Sequence, residues 1–319
     1  MRYSRILGTG SYLPKKILTN ADVEKMVDTS DEWIVERTGI HNRHVRSVTE
    51  STVSMGAAAA KNALEASGID KNKIGLIIVS SSTPDKLFPA AACEIQAILG
   101  LTHPCPAFDI NIACSGFIYA LSIADQYIRS GFTDYILVIG SESLTKMLDW
   151  TDRSTCILLG DGAGAVVLGV DKEPGILSTH LHADGNFGEL ITHTGDIYDK
   201  KAPPLHFKMR GNEVFKIAVT KLGQVIDEAL AFNKLDKSDI KWLVPHQANL
   251  RIIQATAKKL RIPMDQVILT IGEQGNTASA SVPLALDAGV RDGRIKRGDM
   301  VFLEAFSAGL AWGAAVVKY

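Results

Sequence analysis

Short apolar runs of buried-strand length alternate along the chain with segments whose apolar residues recur every three or four positions. In the first part the runs are Ile74 to Ser80, Tyr135 to Ile139, and a strand reaching Val170 after a small-residue turn at Gly162-Ala163-Gly164. In the second part they are Lys241 to Val244, Met300 to Leu303, and a strand after a second small-residue turn at Gly309. Helix-patterned segments precede the middle run in both parts, Ile118 to Arg129 in the first, and they end alike. Arg129-Ser130-Gly131 and Arg291-Asp292-Gly293 both place glycine where a helix stops. Strand, helix, strand, strand therefore appears twice in one order. The expectation is an α/β protein of two similar halves, residues 1–172 and 173–319, joined near Asp171 to Gly175.

The junctions between runs carry the candidate chemistry. Phe108-Asp109-Ile110-Asn111-Ile112-Ala113-Cys114-Ser115-Gly116-Phe117 passes from an apolar run through small residues into the helix pattern. That order sets Cys114 at a helix N-terminus, where free N–H groups and the dipole favour a thiolate. An isolated cysteine is more often a buried structural thiol. Two further turns change the balance: Val244-Pro245-His246-Gln247-Ala248-Asn249 and Gln274-Gly275-Asn276-Thr277-Ala278-Ser279. Cysteine, histidine and asparagine on three separate turns is the pattern of a nucleophilic site. Cys114 and Asn276 also fall in related places, each ahead of its own half's helix.

Composition narrows the class without naming a reaction. The 319 residues are 46% apolar and 22% charged, with net charge −1, so no global field points to nucleic acid or a membrane. Four cysteines without a Cys-x-x-Cys pair suggest reduced thiols in the cytoplasm and no zinc site. The N-terminal residues lack a signal-peptide core, and no run has bilayer-spanning length. Gly8-Thr9-Gly10 runs on to Leu13-Pro14, which breaks a dinucleotide fingerprint, and Gly160-Asp161-Gly162-Ala163-Gly164 lacks the Lys-Ser/Thr of a P-loop. His180 and His182 share a strand face, but with Asp184 as the only nearby carboxylate a metal is not expected.

The three turns resemble the active-site signatures of β-ketoacyl-acyl carrier protein synthase III, a family with the thiolase fold. The resemblance spans the chain, from Gly8-Thr9-Gly10-Ser11-Tyr12-Leu13-Pro14, through Thr29-Ser30-Asp31-Glu32-Trp33-Ile34 and Arg37-Thr38-Gly39-Ile40, to Trp312-Gly313. It implies a layered α-β-α-β-α architecture and an acyltransferase that starts fatty acid synthesis. An acyl-CoA would acylate Cys114; malonyl-acyl carrier protein would then decarboxylate and condense, with His246 and Asn276 as enolate donors. Acyl-CoA is here a substrate, and no cofactor or metal is implied. The N–H groups of Cys114 and Gly309 would form the oxyanion hole, although Ser307-Ala308 replace glycines usual after Glu-Ala-Phe. CoA would meet Thr29, Trp33, Arg37, Arg153 and Asn249, its adenine lying between Trp33 and Arg153. Gln247, Ala248, Asn249, Leu250, Arg251, Lys258 and Lys259 match the carrier-protein docking region. Phe88 matches a residue that reaches across a homodimer interface to close the partner's acyl pocket, which implies acetyl-CoA as primer. A condensing enzyme of a secondary-metabolite pathway, a Cys-His-Asn thioester hydrolase and a silent binding subunit are the alternatives.

Overall fold

The computed structural model describes residues 1–194 and 206–319. Its strands form two main sheets. The first runs Tyr3–Tyr12, Asp161–Asp171, Tyr135–Ser143, Leu76–Ser80, Ala107–Ile110. Its first two pairings are antiparallel and its last two parallel. The second runs Ile176–Ala183, Ala311–Lys318, Met300–Ser307, Trp242–Pro245, again antiparallel, antiparallel, parallel. A parallel bridge from Leu243 to Val267 stands where the first sheet has its fifth strand. One order of strands thus occurs twice.

Burial explains the layers. The helices Gly116–Arg129 and Ser281–Arg291 lie between the sheets, and their Phe117, Leu121, Val282 and Leu286 share a core with Ile78 and Val138 of one sheet and Val244 and Leu303 of the other. The outer face of the first sheet carries Thr52–Ser67 and Ala91–Leu99. The outer face of the second carries Gly211–Asn233 and Leu250–Leu260. Strands covered on both faces are apolar without alternation, which is why they read as continuous runs. Gly131 and Gly293 have φ of 82° and 79° directly beyond the two central helices, the left-handed stop that glycine makes easily.

Two boundaries and one side-chain pairing differ from expectation. Gly162 and Gly164 are not a turn but part of the strand Asp161–Asp171. A Cβ on Gly164 would lie 2.7 Å from the Leu284 backbone nitrogen, so this glycine serves close packing of strand on helix. The strand expected to end at Leu303 continues to Ser307, because Glu304 to Ser307 go on pairing with Ala314 to Ala311 and the Glu304 side chain is buried rather than turned to solvent. His180 and His182 do share a face, but both bond a carboxylate from the distant helix, Glu228, at 3.0 and 2.7 Å.

Candidate active site

Cys114 and Asn276 sit on corresponding turns of the two repeats but at different positions, Asn111 matching Asn276 and Cys114 matching Ser279. Each half has a residue at positive φ, Ala113 at 43° and Ala278 at 44°. Each of these opens a 3-10 turn, Ala113–Ser115 or Ala278–Ala280, that runs into a central helix. Each also donates its N–H to the side-chain oxygen two residues back, Asn111 in one half and Asn276 in the other, at 3.4 and 2.9 Å. The second turn packs directly on the strand Tyr135–Ser143 because Gly140 has no side chain: a Cβ there would fall 2.3 Å from the Ser279 carbonyl oxygen. His246 follows the strand Trp242–Pro245 and donates its backbone N–H to the Glu304 carbonyl at 2.8 Å.

Cys114, His246 and Asn276 line one cavity of about 870 Å³, with Trp33, Arg37, Ala248, Asn249 and Arg251 toward its walls. The Asn276 amide is oriented by the structure. Its Oδ1 accepts from Ala278 N–H, while Nδ2 has no partner among the described residues and remains available as a donor. Asn276 is itself anchored by backbone bonds, donating to Leu158 and accepting from Gly160, each at 2.9 Å.

The electrostatics correct one expectation. Cys114 is half-buried and does precede the helix N-terminus, yet its thiol is pushed up to about 12, by burial first and by the nearby Glu142 second. Desolvation outweighs the dipole of the helix end. Burial likewise holds the His246 imidazole neutral, at about 3. The resting site is therefore thiol and neutral imidazole, not an ion pair. Alkylation of Cys114 by iodoacetamide, followed by peptide mass spectrometry, should accelerate steadily with pH up to at least about 9. A plateau near pH 7 would contradict this.

Two buried carboxyls escaped the sequence reading. Glu142 accepts from Thr83 and Ser279 hydroxyls at 2.6 and 2.7 Å and is raised by burial despite them. Glu304 lines the cavity and is raised to about 8 by burial, with one oxygen, Oε2, lacking a partner among the described residues. A lone carboxylate within the apolar run Val301 to Phe306 was a readable signal, because burial forces such a group to pair or to stay neutral.

The other expected residues are placed unequally. The Trp33 ring is covered by Arg37 at 4.4 Å and Arg153 at 4.9 Å, so the proposed adenine slot is closed by Arg153, itself held to the Asp28 carbonyl. Thr29 has a buried hydroxyl with no partner among the described residues. Asn249 caps the helix Leu250–Leu260 through Arg251 N–H and bonds the Arg37 carbonyl at 2.9 Å. Gln247 does not belong to a docking surface: it is buried, and its amide bonds Pro245, Ile268, Thr270 and Ile271 backbone groups. Leu250 is half-buried against Gly39. Arg251 and Lys258 are exposed seven residues apart, hence on one helix face. Lys259 is paired with Asp227 at 2.5 Å. Gly309 sits in the turn beside the cavity-lining Ala308, and the departing Ser307 braces that turn by donating to Ala308 and Ala311 carbonyls. Phe88 does not line its own chain's cavity and is 83% exposed.

Among the described residues no group of three or more His, Cys, Asp or Glu side chains has metal-holding geometry, and no helix is long and apolar enough to cross a membrane.

Comparison with known proteins gives one answer at every level. Residues 108–185 match the family profile described as 3-oxoacyl-[acyl-carrier-protein] synthase III, and residues 230–319 match its C-terminal profile. The β-ketoacyl-[acyl-carrier-protein] synthase III of Coxiella burnetii is 58% identical over 319 residues, all of both chains. That of Citrobacter koseri is 57% identical over 317 residues, 99% of this chain and 100% of the relative. The crystal structure of the Aquifex aeolicus synthase III superposes with TM-score 0.93 at 44% identity, covering 99% of this chain and all of that one. The priming β-ketosynthase of the R1128 polyketide pathway superposes with TM-score 0.95 at 37% identity, covering 99% and 96%. With the repeated sheets and the three converging turns, this shows that the chain belongs to the β-ketoacyl-[acyl-carrier-protein] synthase III family of thiolase-fold acyltransferases.

Proposed function

We propose that the protein condenses acetyl-CoA with malonyl-acyl carrier protein, giving a 3-oxoacyl-acyl carrier protein, carbon dioxide and CoA. The observation that carries this reading is the pairing of a nucleophile with two neutral donors in one cavity: Cys114 with His246 and the Nδ2 of Asn276, which has no partner among the described residues. Cys114 Sγ attacks the thioester carbonyl, the bond to the CoA sulfur breaks, and the thiol proton ends on CoA. The developing oxyanion lies at the N–H groups of Cys114 and Gly309. In the second half-reaction the malonyl carbon–carboxyl bond breaks as carbon dioxide leaves, and the electron pair passes into an enolate. His246 and Asn276 hold the enolate oxygen. The enolate carbon then attacks the acyl carbonyl and expels Cys114 sulfur, which regains a proton from solvent. No strong base is needed, in keeping with an imidazole that burial keeps neutral.

The same geometry speaks against a Cys-His-Asn hydrolase. In that chemistry the asparagine orients the histidine, whereas here Asn276 Oδ1 is taken by Ala278 and His246 Nδ1 faces Ser281. Priming of a secondary-metabolite pathway uses the same steps; the greater identity to the fatty acid enzymes favours the primary role. Incubation with malonyl-acyl carrier protein and a panel of acyl-CoAs, read by product mass, tests the reading.

The binding assignments follow from it. CoA enters along Trp33, Arg37 and Asn249, with adenine displacing Arg153 from the Trp33 face to stack between them and Thr29 supplying a free hydroxyl. The acidic carrier protein docks on Arg251 and Lys258, while Lys259 contributes less because Asp227 already neutralises it. The enzyme works as a cytoplasmic homodimer of chains divided into halves 1–172 and 173–319. An exposed Phe88 beside Leu87, 73% exposed, supports burial of this loop in a partner. There Phe88 closes the neighbouring acyl pocket and keeps the primer short. Acetyl-CoA should outcompete octanoyl-CoA, and Phe88→Ala should move the ratio toward longer primers by at least about tenfold, the low end of what one methylene in a pocket is worth. A clear win for octanoyl-CoA on the unmodified protein would overturn this.

A further inference from the structure

We infer that Ser281 is a positioning residue that fixes which nitrogen of His246 carries the proton and so presents Nε2–H to the enolate oxygen. The inference rests on the condensing role proposed for His246. A neutral imidazole has one N–H and one bare nitrogen, and only the form with hydrogen on Nε2 can donate into the cavity if Nδ1 is the nitrogen turned away.

The hydrogen-bond inventory around Ser281 decides between the two forms. Ser281 is fully buried at the first position of the helix Ser281–Arg291. Its Oγ accepts the Gln247 backbone N–H at 2.6 Å, a donor whose hydrogen has no alternative position. Its other partner is His246 Nδ1, at 2.9 Å. If Nδ1 carried the hydrogen, the Ser281 oxygen would receive two N–H groups and its own proton would be buried with no acceptor among the described residues. With the Ser281 O–H donating to Nδ1, every group is satisfied and the ring hydrogen is on Nε2. Nε2 has no protein partner among the described residues, and His246 lines the cavity.

Two features support this hold on the ring. The Gln247 amide bonds four backbone groups on both sides of its loop, which keeps the Gln247 N–H aimed at Ser281. The first half has glycine, Gly116, at the position matching Ser281, where a Cβ would fall 1.9 Å from Ser80 Oγ. The hydroxyl is thus a departure from the repeat, present only in the half that carries the histidine.

The test is ¹⁵N NMR of the histidine-labelled full chain, with the His246 signals identified by their absence in His246→Ala. The expected wild-type spectrum has a protonated Nε2 and a bare Nδ1. In Ser281→Ala the ring should populate the Nδ1–H form, and malonyl decarboxylation should fall roughly 10²-fold, the scale of one misaimed donor. Ser281→Thr, which keeps the hydroxyl, should restore both. A protonated Nδ1 in the wild type, or Ser281→Ala with unchanged tautomer, would overturn the assignment. A tautomer that changes in Ser281→Ala while decarboxylation stays at wild-type rate would instead remove the enolate role of His246, a failure of the underlying reading.

Discussion

Cys114→Ala will abolish acyl-enzyme formation and condensation and leave the fold intact. Three observations set this expectation. The residue lines the cavity, opens the central helix of its half, and stands at the edge of a core rather than within it. Losing one sulfur from such a place costs about 1 kcal/mol, the ordinary scale of a point substitution. The loss of chemistry is far larger, because none of the other three thiols, the exposed Cys93 included, lines the cavity. Cys156 is fully buried, and Cys105 is half-buried and bonded by Gln96. Intact-mass measurement after acetyl-CoA treatment, with thermal melting as the control for folding, checks both halves of the statement. An acetyl group on Cys105 or Cys156 would remove Cys114 from its role.

The second large effect separates the half-reactions. His246→Ala and Asn276→Ala should still acetylate Cys114 but lose malonyl decarboxylation by about 10²–10³-fold each, as when a single oxyanion donor is removed. The reason lies in what each side chain has free. Asn276 offers Nδ2, with its oxygen engaged by Ala278, so it can donate and cannot titrate. His246, held neutral at about 3, is a weak base for a thiol pushed up to about 12, so removing it should spare the acylation step. Equal loss of both steps in His246→Ala, measured by quenched mass spectrometry, would make His246 the base for Cys114. For the same reason decarboxylation should have no break near pH 6.5, where an ordinary histidine titrates.

Much of this site was legible in the residues. The three turns stood out because small residues and glycines interrupt apolar runs at matching points, and the repeated strand order followed from the same runs. What the sequence could not convey was burial. The thiolate expected of Cys114 came from the helix end alone; what opposes it is desolvation by the packed layers and then the negative charge of Glu142, distant in sequence. Gln247 looked like a surface polar residue beside His246, and only the fold shows its amide clamping two loops. Ser281 was hidden inside Ala278-Ser279-Ala280-Ser281, where any serine passes for a small residue at a helix start. Gly162 and Gly164 were mistaken for a turn because close packing and chain reversal both favour glycine, and periodicity cannot separate them.

The division of labour among Cys114, His246 and Asn276 is tested most directly by a single turnover. The protein is acetylated with labelled acetyl-CoA, freed of CoA, and mixed with malonyl-acyl carrier protein. The label should leave Cys114 and appear in 3-oxobutyryl-acyl carrier protein with one carbon dioxide released per acetyl transferred. Release of the label as free acetate, with malonyl-acyl carrier protein unchanged, would contradict the condensing mechanism and establish a hydrolase in its place.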